Sequence, residues 1–308
     1  MRIARPTPRP RRNPDVTLAG KLLRRCVAIA LVLAVAVALG GWCVTLLLTQ
    51  PNRRAIGDPP ADLHARTVTF RGASGASLRG WYVEGVHGRG AVVLMHGVHA
   101  DRRAMIDRAR LLAQAGYAVL LFDFQAHGES EGEAITFGWR ERLDARVALD
   151  WMRKAAPGER IGVIAVSMGG AAVLLAQPVP SLDALVLEQV YPTVDEALDN
   201  RLRNYLGPLG PLLSPVLEHE VSWHLGLAPS LLRPVEHIAS MDAPVLILAG
   251  EVDRHTTLAQ SRALFAAARE PKQLWIVPGA AHVDLCAYAG AEYTKHVLSF
   301  LASHLRAE

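Results

Sequence analysis

Runs of β-branched and aliphatic residues alternate with helical patterns from residue 66 onward, and this alternation restricts the possible folds more than any other feature. Each run has the length of a strand. The runs are 66–71, 78–83, 91–95, 118–123, 161–166, 184–188, 245–249 and 273–277. Strands that alternate with helices form parallel sheets with helices on both faces. The sequence therefore predicts an α/β fold with a mostly parallel, eight-stranded sheet.

The stretch 191–241 interrupts this alternation. It is rich in Leu and contains six prolines, which permit only short helices. An insertion of this length without strands is usually functional. We expect a helical cap over the functional site, and a decorative surface insertion is the alternative.

Residues 26–49 form an apolar run of 24 residues without a charge. As a helix this run spans roughly 36 Å at ~1.5 Å per residue, which crosses a ~30 Å hydrocarbon core. A cleaved signal peptide is the alternative, but its apolar core has typically ~7–15 residues, and no small-x-small cleavage site follows the run. The sequence predicts an uncleaved transmembrane helix, then a linker over 50–65 and a catalytic domain over 66–308.

The charges are distributed unevenly along the chain. The formal net charge is +4, but residues 1–25 carry eight basic side chains and one acidic one, so the remainder is mildly acidic. The positive-inside rule predicts that this basic tail stays in the cytoplasm and that the catalytic domain lies outside it, periplasmic or extracellular in a bacterium. The folded part carries no basic signature for nucleic acid.

A nucleophile is predicted at Ser167. The apolar run 161–166 ends abruptly in this serine, and Gly169, Gly170 and an Ala-rich helical segment follow. A nucleophile elbow needs this strand–turn–helix arrangement, with small residues two positions before and after the serine; Ala165 and Gly169 occupy those places. The alternative is a serine that serves as an ordinary helix N-cap.

Acyl transfer also needs two backbone N–H donors for the developing oxyanion. The first predicted donor is Met168, directly after the nucleophile. The second comes from the loop after the third strand, where Gly97 allows a turn and Val98 is the natural donor. We expect His96, between the strand and Gly97, to hold this loop by hydrogen bonds.

Two carboxylates follow the run 245–249, and either could orient a catalytic histidine. Glu251 and Asp253 both lie just past a strand end, the edge of an open α/β sheet at which ligands bind. Asp253 is deeper in the loop and is the predicted acid. Glu251 is expected to face solvent or to cap the turn.

The predicted general base is His282. It follows the last predicted strand, 273–277, after a glycine turn, and no other histidine follows that strand at this distance. His255 and His296 are the alternatives. The mechanism that follows has His282 accept the Ser167 proton while Asp253 fixes the histidine tautomer.

Together these motifs resemble the α/β-hydrolase superfamily, near its bacterial serine esterase, prolyl-oligopeptidase-like and serine-aminopeptidase-like branches. The marks of the resemblance are 94–97, 122–130, the Ser167 elbow, 250–253 and 279–282. It implies the α/β-hydrolase fold, in which the triad follows the chain order Ser, Asp, His. Two departures occur: Ala165 replaces the commoner first Gly of the elbow, and Gln125-Ala126 replaces Arg-Gly in the family's D-x-R-G-H-G-x-S turn.

The leading functional prediction is a hydrolase of carboxylic esters, working through an acyl-enzyme on a small ester or acyl substrate. A Leu-rich cap beside a membrane favours apolar groups. The alternatives are a serine peptidase or aminopeptidase of the same fold and a catalytically inactive, membrane-tethered binding module, against which the complete set of candidate residues argues. We expect no cofactor and no metal, because His and Cys are not paired at ligand spacing. The sequence gives no indication of oligomeric state.

Overall fold

A central sheet forms the scaffold of the computed structural model, which describes residues 14–178 and 181–306. Within these residues the sheet has eight strands in the spatial order β8-β7-β6-β5-β3-β4-β2-β1. The strands are β1 Arg66–Arg71, β2 Ser77–Val83, β3 Ala91–Met95, β4 Ala118–Phe122, β5 Ile161–Val166, β6 Ala184–Glu188, β7 Val245–Gly250 and β8 Lys272–Val277. Strand β2 is antiparallel to both β1 and β4, and every other neighbouring pair in this sheet is parallel. The predicted fold class is confirmed.

Helices cover both faces of the sheet. The helices of the described residues are α1 Pro14–Thr49, α2 Ile106–Gln114, α3 Glu141–Ala155, α4 Met168–Leu175, α5 Val194–Leu206, α6 Ser214–Leu225, α7 Pro234–His237, α8 Leu258–Ala267 and α9 Leu285–Leu305. Of these, α2, α3, α4, α8 and α9 pack on the sheet. Every residue of β3 is buried, with Val93 facing the core under α3 and α4 and Leu94 facing the core under α2 and α9. Because both faces are covered, the central strands are apolar throughout rather than alternating.

The carboxyl ends of the central strands lie side by side. Val166 of β5 pairs with Glu188 of β6, which in turn pairs with Leu248 of β7. The loops that follow these strands, and with them the candidate site residues, therefore open at one edge of the sheet.

The insertion after β6 is helical and has no strand within the described residues. It contains α5, α6 and α7, joined by short 3₁₀ turns such as Gly207–Leu213 and Pro229–Leu231. Prolines stand at the start of α6 and α7, where their missing N–H has no helical partner to lose.

The N-terminal helix is longer than the charge-free run. Since no proline separates Asp15 from Cys26, α1 continues through Lys21 and Arg24. Residues 20–49 are long and apolar enough to cross a membrane. Residues 1–13 of the predicted basic tail lie outside the described part of the chain.

The segment 50–65, predicted as a linker, is bonded to the catalytic domain along its first half. Asn52 and Arg53 pair in parallel with His127 and Gly128. The amides of Ile56 and Gly57 then donate to Glu129 at 3.0 and 3.1 Å. A polar composition with prolines indicates a linker, but it does not reveal backbone pairing with a distant turn.

The C-terminal end of α1 packs against the cap. The Trp42 ring lies 5.3 Å, centroid to centroid, from the rings of both Trp223 and His224 on α6. Thr45 and Thr49 are buried at this end. The apolar helix is thus part of the packed structure where it meets the catalytic domain.

Candidate active site

Ser167 occupies a sharp turn between β5 and α4. Its backbone has φ 49° and ψ −113°, a conformation that costs an L-residue about 1–3 kcal/mol. Its N–H donates to the Glu188 carbonyl at 2.9 Å, which fixes the turn to the next strand. A Cβ at Gly169 would lie 2.6 Å from the Met95 carbonyl oxygen, so glycine is required there. Ala165 is fully buried in β5 and fits as the small residue before the turn.

The serine faces a cavity of about 90 Å³ between the sheet edge and the cap. Apolar side chains form most of the wall, and helix α1 contributes Leu48. The cap supplies Val194, Ala197, Leu198, Val221, Leu227 and Leu232. An apolar cavity with a few polar groups around a strained serine is the usual form of a small-molecule site.

Asp253 and His282 are joined by a hydrogen bond of 2.7 Å between Oδ2 and Nδ1. The Asp253 side chain is completely buried, whereas that of His282 is 22% exposed. The other carboxylate oxygen, Oδ1, accepts the backbone N–H groups of His255 at 2.7 Å and Thr256 at 2.9 Å. The carboxylate is therefore fixed from two sides, and it presents one oxygen to the imidazole.

Gln189 is a further member of this group that the sequence analysis did not single out. Its side-chain amide donates to Asp253 Oδ2 at 3.1 Å and to the Ala281 carbonyl at 2.7 Å. It therefore links the acid to the loop that carries His282. Its backbone has φ 53°. The available signal was its position, directly after β6 at the edge where the other candidates lie.

The imidazole of His255 packs beside His282, with the ring centroids 5.3 Å apart. Burial, the positive charge of Arg201 and the neighbouring His282 lower the pKa of His255, against the opposing effect of Asp253. A low pKa keeps this second ring neutral near pH 7. A neutral neighbour adds little repulsion when His282 takes up a proton.

Val98 and Met168 both border the cavity. Within the described residues, neither amide donates a hydrogen bond to a protein acceptor. Met168 is the first residue of α4, so its N–H also belongs to the positive end of a helix. Two unused donors beside one strained serine have the composition of an oxyanion hole.

His96 holds the loop that carries Val98. Its Nε2 accepts the Phe124 N–H at 3.1 Å, and its Nδ1 lies 2.8 Å from the Gly97 carbonyl. Burial lowers the pKa of His96 despite the nearby Asp123 carboxylate. A neutral, fully buried imidazole suits a structural role in this loop.

The remaining carboxylates near the sheet edge have other partners. Glu251 is exposed and accepts the Gly279 N–H at 2.8 Å. Glu188 is buried, where it accepts two hydrogen bonds from Arg108, at 3.0 and 2.7 Å, and one from Tyr293 at 2.6 Å. Asp284 caps helix α9 and also contacts Arg108 at 3.0 Å. None of these three carboxylates forms a hydrogen bond with His282.

The other sequence features of interest lie away from the cavity. His296 stacks on Trp275, with 4.3 Å between the ring centroids. Gln125 and Ala126, which depart from the family pattern, do not line the cavity; the Gln125 N–H donates to Asp144 at 2.9 Å. Ala126 has φ 60°, which explains why a glycine is common at that position.

Comparison with known proteins supports the family assignment. The model of the family described as "Serine aminopeptidase, S33" matches residues 87–207. The uncharacterized protein Rv2307c of Mycobacterium tuberculosis is 33% identical over 276 residues, which cover 85% of this chain and 90% of that protein. The uncharacterized protein YqkD of Bacillus subtilis is 26% identical over 234 residues, which cover 74% of this chain and 76% of that protein.

Solved structures show the same fold. The esterase Pf2001 of Pyrococcus furiosus superposes with a TM-score of 0.70 at 24% sequence identity, covering 83% of this chain and 98% of the esterase. An esterase from Exiguobacterium antarcticum superposes with a TM-score of 0.58 at 13% identity, over 77% of this chain and 99% of its own. Because the sheet order, the family match and these relatives agree, this chain belongs to the α/β-hydrolase superfamily, as its motifs predicted.

Proposed function

We propose that this protein is a membrane-anchored serine hydrolase that cleaves carboxylic esters through an acyl-enzyme. The observation that carries the proposal is the 2.7 Å bond between buried Asp253 and His282, at the same sheet edge as the strained Ser167. Nucleophile, base and orienting acid are the parts that acyl transfer requires. The esterases among the structural neighbours are consistent with this assignment.

In the proposed mechanism, His282 Nε2 accepts the Ser167 hydroxyl proton as Oγ attacks the ester carbonyl. Asp253 holds Nδ1 protonated and stabilises the imidazolium that forms. The Val98 and Met168 amides donate to the oxyanion. His282 then gives its proton to the leaving alcohol, and a water molecule, activated by the same histidine, releases the acid and restores the serine.

Within the described residues, no hydrogen bond joins the Ser167 hydroxyl to His282. Catalytic hydrogen bonds are often long in the absence of substrate and shorten in the reacting complex. The serine follows β5 and the histidine follows β8, so their separation depends on the loop that carries His282.

The charges in the cavity favour an ester over a peptide with a free amino terminus. An aminopeptidase needs an anion for the substrate ammonium group. Glu218 is the one carboxyl side chain among the described residues that line the cavity; burial, Asp195 and Asp199 raise its pKa, which makes it a weaker anion site than a free carboxylate. Arg201 borders the same cavity and would repel an ammonium ion.

The first test is a panel of nitrophenyl esters of graded acyl length, set against aminoacyl-nitroanilides. We expect kcat/KM for the best ester to exceed that for the best anilide by at least about 10³-fold, because the wall of the cavity is mostly apolar and Arg201 repels an ammonium group. Preference for an aminoacyl-nitroanilide would favour the peptidase. No turnover of any substrate, with a folded protein, would favour the binding module.

The second test concerns the membrane. Residues 20–49 are long enough to span it, and the basic residues on the N-terminal side predict a cytoplasmic N-terminus. A reporter that is active only outside the cytoplasm should be active when it is fused after Glu308. The full-length chain should stay in the membrane after a carbonate wash. Recovery of a shortened soluble protein would indicate a cleaved signal peptide instead.

A further inference from the structure

One side of cap helix α5 faces the cavity, and this side ends in a positive charge. The cavity-lining residues of α5 are Val194, Ala197, Leu198 and Arg201. They are spaced at positions i, i+3, i+4 and i+7, which lie on one face of an α-helix. The first three are apolar, as a cavity for acyl chains requires. The fourth places a guanidinium group at the same wall.

Arg201 makes no ion pair or hydrogen bond with any residue that the structure describes. Its neighbour Arg203, by contrast, donates to Asn200 at 3.3 Å, and Arg233 contacts both Asp195 and Glu236. Burial and the nearby Asp195 and Asp199 carboxylates raise the pKa of Glu218, and Arg201 is not among the groups that shift it. A partly buried guanidinium without a protein partner has its donors free to bind an anion that enters the cavity.

The position of Arg201 indicates which part of a substrate it would meet. His99 lines the same cavity as Arg201, and the side chain of Asn200, the residue before Arg201, donates to the His255 carbonyl at 3.1 Å. His255 packs 5.3 Å from His282, the proposed proton donor to the leaving alcohol. Arg201 is thus close to the residues that surround the leaving group.

Hydrogen bonds fix helix α5 to the catalytic domain on both sides of Arg201. The Asn200 side chain donates to the His255 carbonyl at 3.1 Å and to Gln260 at 2.8 Å. One turn later, the Asn204 side chain donates to the Arg254 carbonyl at 3.0 Å. These bonds attach the helix to the loop that carries Asp253, so the backbone of Arg201 is fixed relative to the candidate triad.

We propose that Arg201 binds an anionic oxygen group, a carboxylate or a phosphate, on the alcohol part of the substrate. The natural substrate is then an amphiphilic ester with an apolar acyl chain and an anionic leaving alcohol. Guanidinium suits this role, since its planar donors bind carboxylate and phosphate oxygens in pairs. This inference rests on the proposed ester hydrolysis and adds the charge of the leaving group to it.

The test compares two butyrate esters with the same acyl group. One releases 4-nitrophenol, and the other releases 3-carboxy-4-nitrophenol, which carries the extra carboxylate. We expect Arg201→Gln, in full-length protein in detergent, to lower kcat/KM for the anionic ester at least about tenfold, mainly through KM. The neutral ester should change less than about twofold. Arg201→Lys should recover part of the loss, and Arg203→Gln on the same helix is the matched control.

Equal losses for both esters would overturn the inference and assign Arg201 a structural role, and so would unchanged rates for both. A binding measurement keeps the inference testable if the wild type hydrolyses no ester and the proposed function fails. Calorimetric titration with butyl phosphate should give at least about tenfold weaker binding to Ser167→Ala/Arg201→Gln than to Ser167→Ala. Equal affinities in that titration would also overturn the inference.

Discussion

Replacement of Ser167 by alanine is expected to abolish both ester turnover and labelling by a fluorophosphonate probe. The probe reacts with an activated serine hydroxyl, and the proposed acyl-enzyme forms on the same oxygen, so both signals depend on one atom. In serine hydrolases, loss of the nucleophile costs roughly 10⁶-fold in kcat. Gel fluorescence after probe treatment and the residual kcat on the best nitrophenyl ester measure the two effects.

Ser240→Ala is a suitable control, because Ser240 is an exposed serine whose hydroxyl bonds only to the His237 carbonyl within the described residues. It should label and turn over like the wild type. The thermal unfolding midpoint of Ser167→Ala should stay near that of the wild type, since alanine keeps the backbone of the turn. A Ser167→Ala protein that still labels and still cleaves ester would exclude Ser167 as the nucleophile.

Asp253→Asn is expected to lower kcat by ~10³–10⁴-fold while the fold stays intact. Asp253 Oδ1 accepts two backbone N–H groups, so the oxygen of an asparagine would occupy that place. The asparagine NH₂ would then face His282 Nδ1 and the Gln189 amide, both of which donate to the carboxylate. The asparagine NH₂ cannot accept a hydrogen bond from either group. His282 would therefore adopt the tautomer with its proton on Nε2, and this tautomer cannot accept the Ser167 proton.

Glu251→Gln is the matched control, a carboxylate-to-amide change on the same loop. Glu251 is exposed and accepts one backbone N–H, a bond that the glutamine oxygen can keep. Its turnover should remain within about tenfold of wild type, a barrier change of ~1.4 kcal/mol. The converse result would assign the acid role to Glu251. Mild effects of both substitutions would mean that another residue orients His282.

The candidate triad residues could be identified from the sequence because a local sequence pattern precedes each of them. Ser167, Asp253 and His282 each follow an apolar run and a turn, and parallel strands bring such positions to one edge. The strand positions were predictable for a similar reason, since a strand buried on both faces leaves a nearly uninterrupted apolar run. Local patterns thus carried the fold class and the positions of the candidate residues.

What escaped prediction depends on contacts between distant parts of the chain. Gln189 meets Asp253 across 64 residues, and Asn200 meets the His255 carbonyl across 55. No local pattern marks such pairs. The role of Leu48 in the cavity wall was hidden as well, because an apolar residue in an apolar helix has no distinguishing signal.

The bonds that secure the first residues after α1 determine how the catalytic domain can move. If residues 50–65 were a flexible linker, their r.m.s. end-to-end distance would be about 20 Å, and the domain could move over a similar distance. Instead, the pairing of Asn52 and Arg53 and the packing of Trp42 on α6 hold the domain against the end of the helix. In the proposed topology, the active site therefore keeps a constant height above the bilayer. In that topology, the enzyme would meet substrates that lie in the bilayer by diffusion in the plane of the membrane.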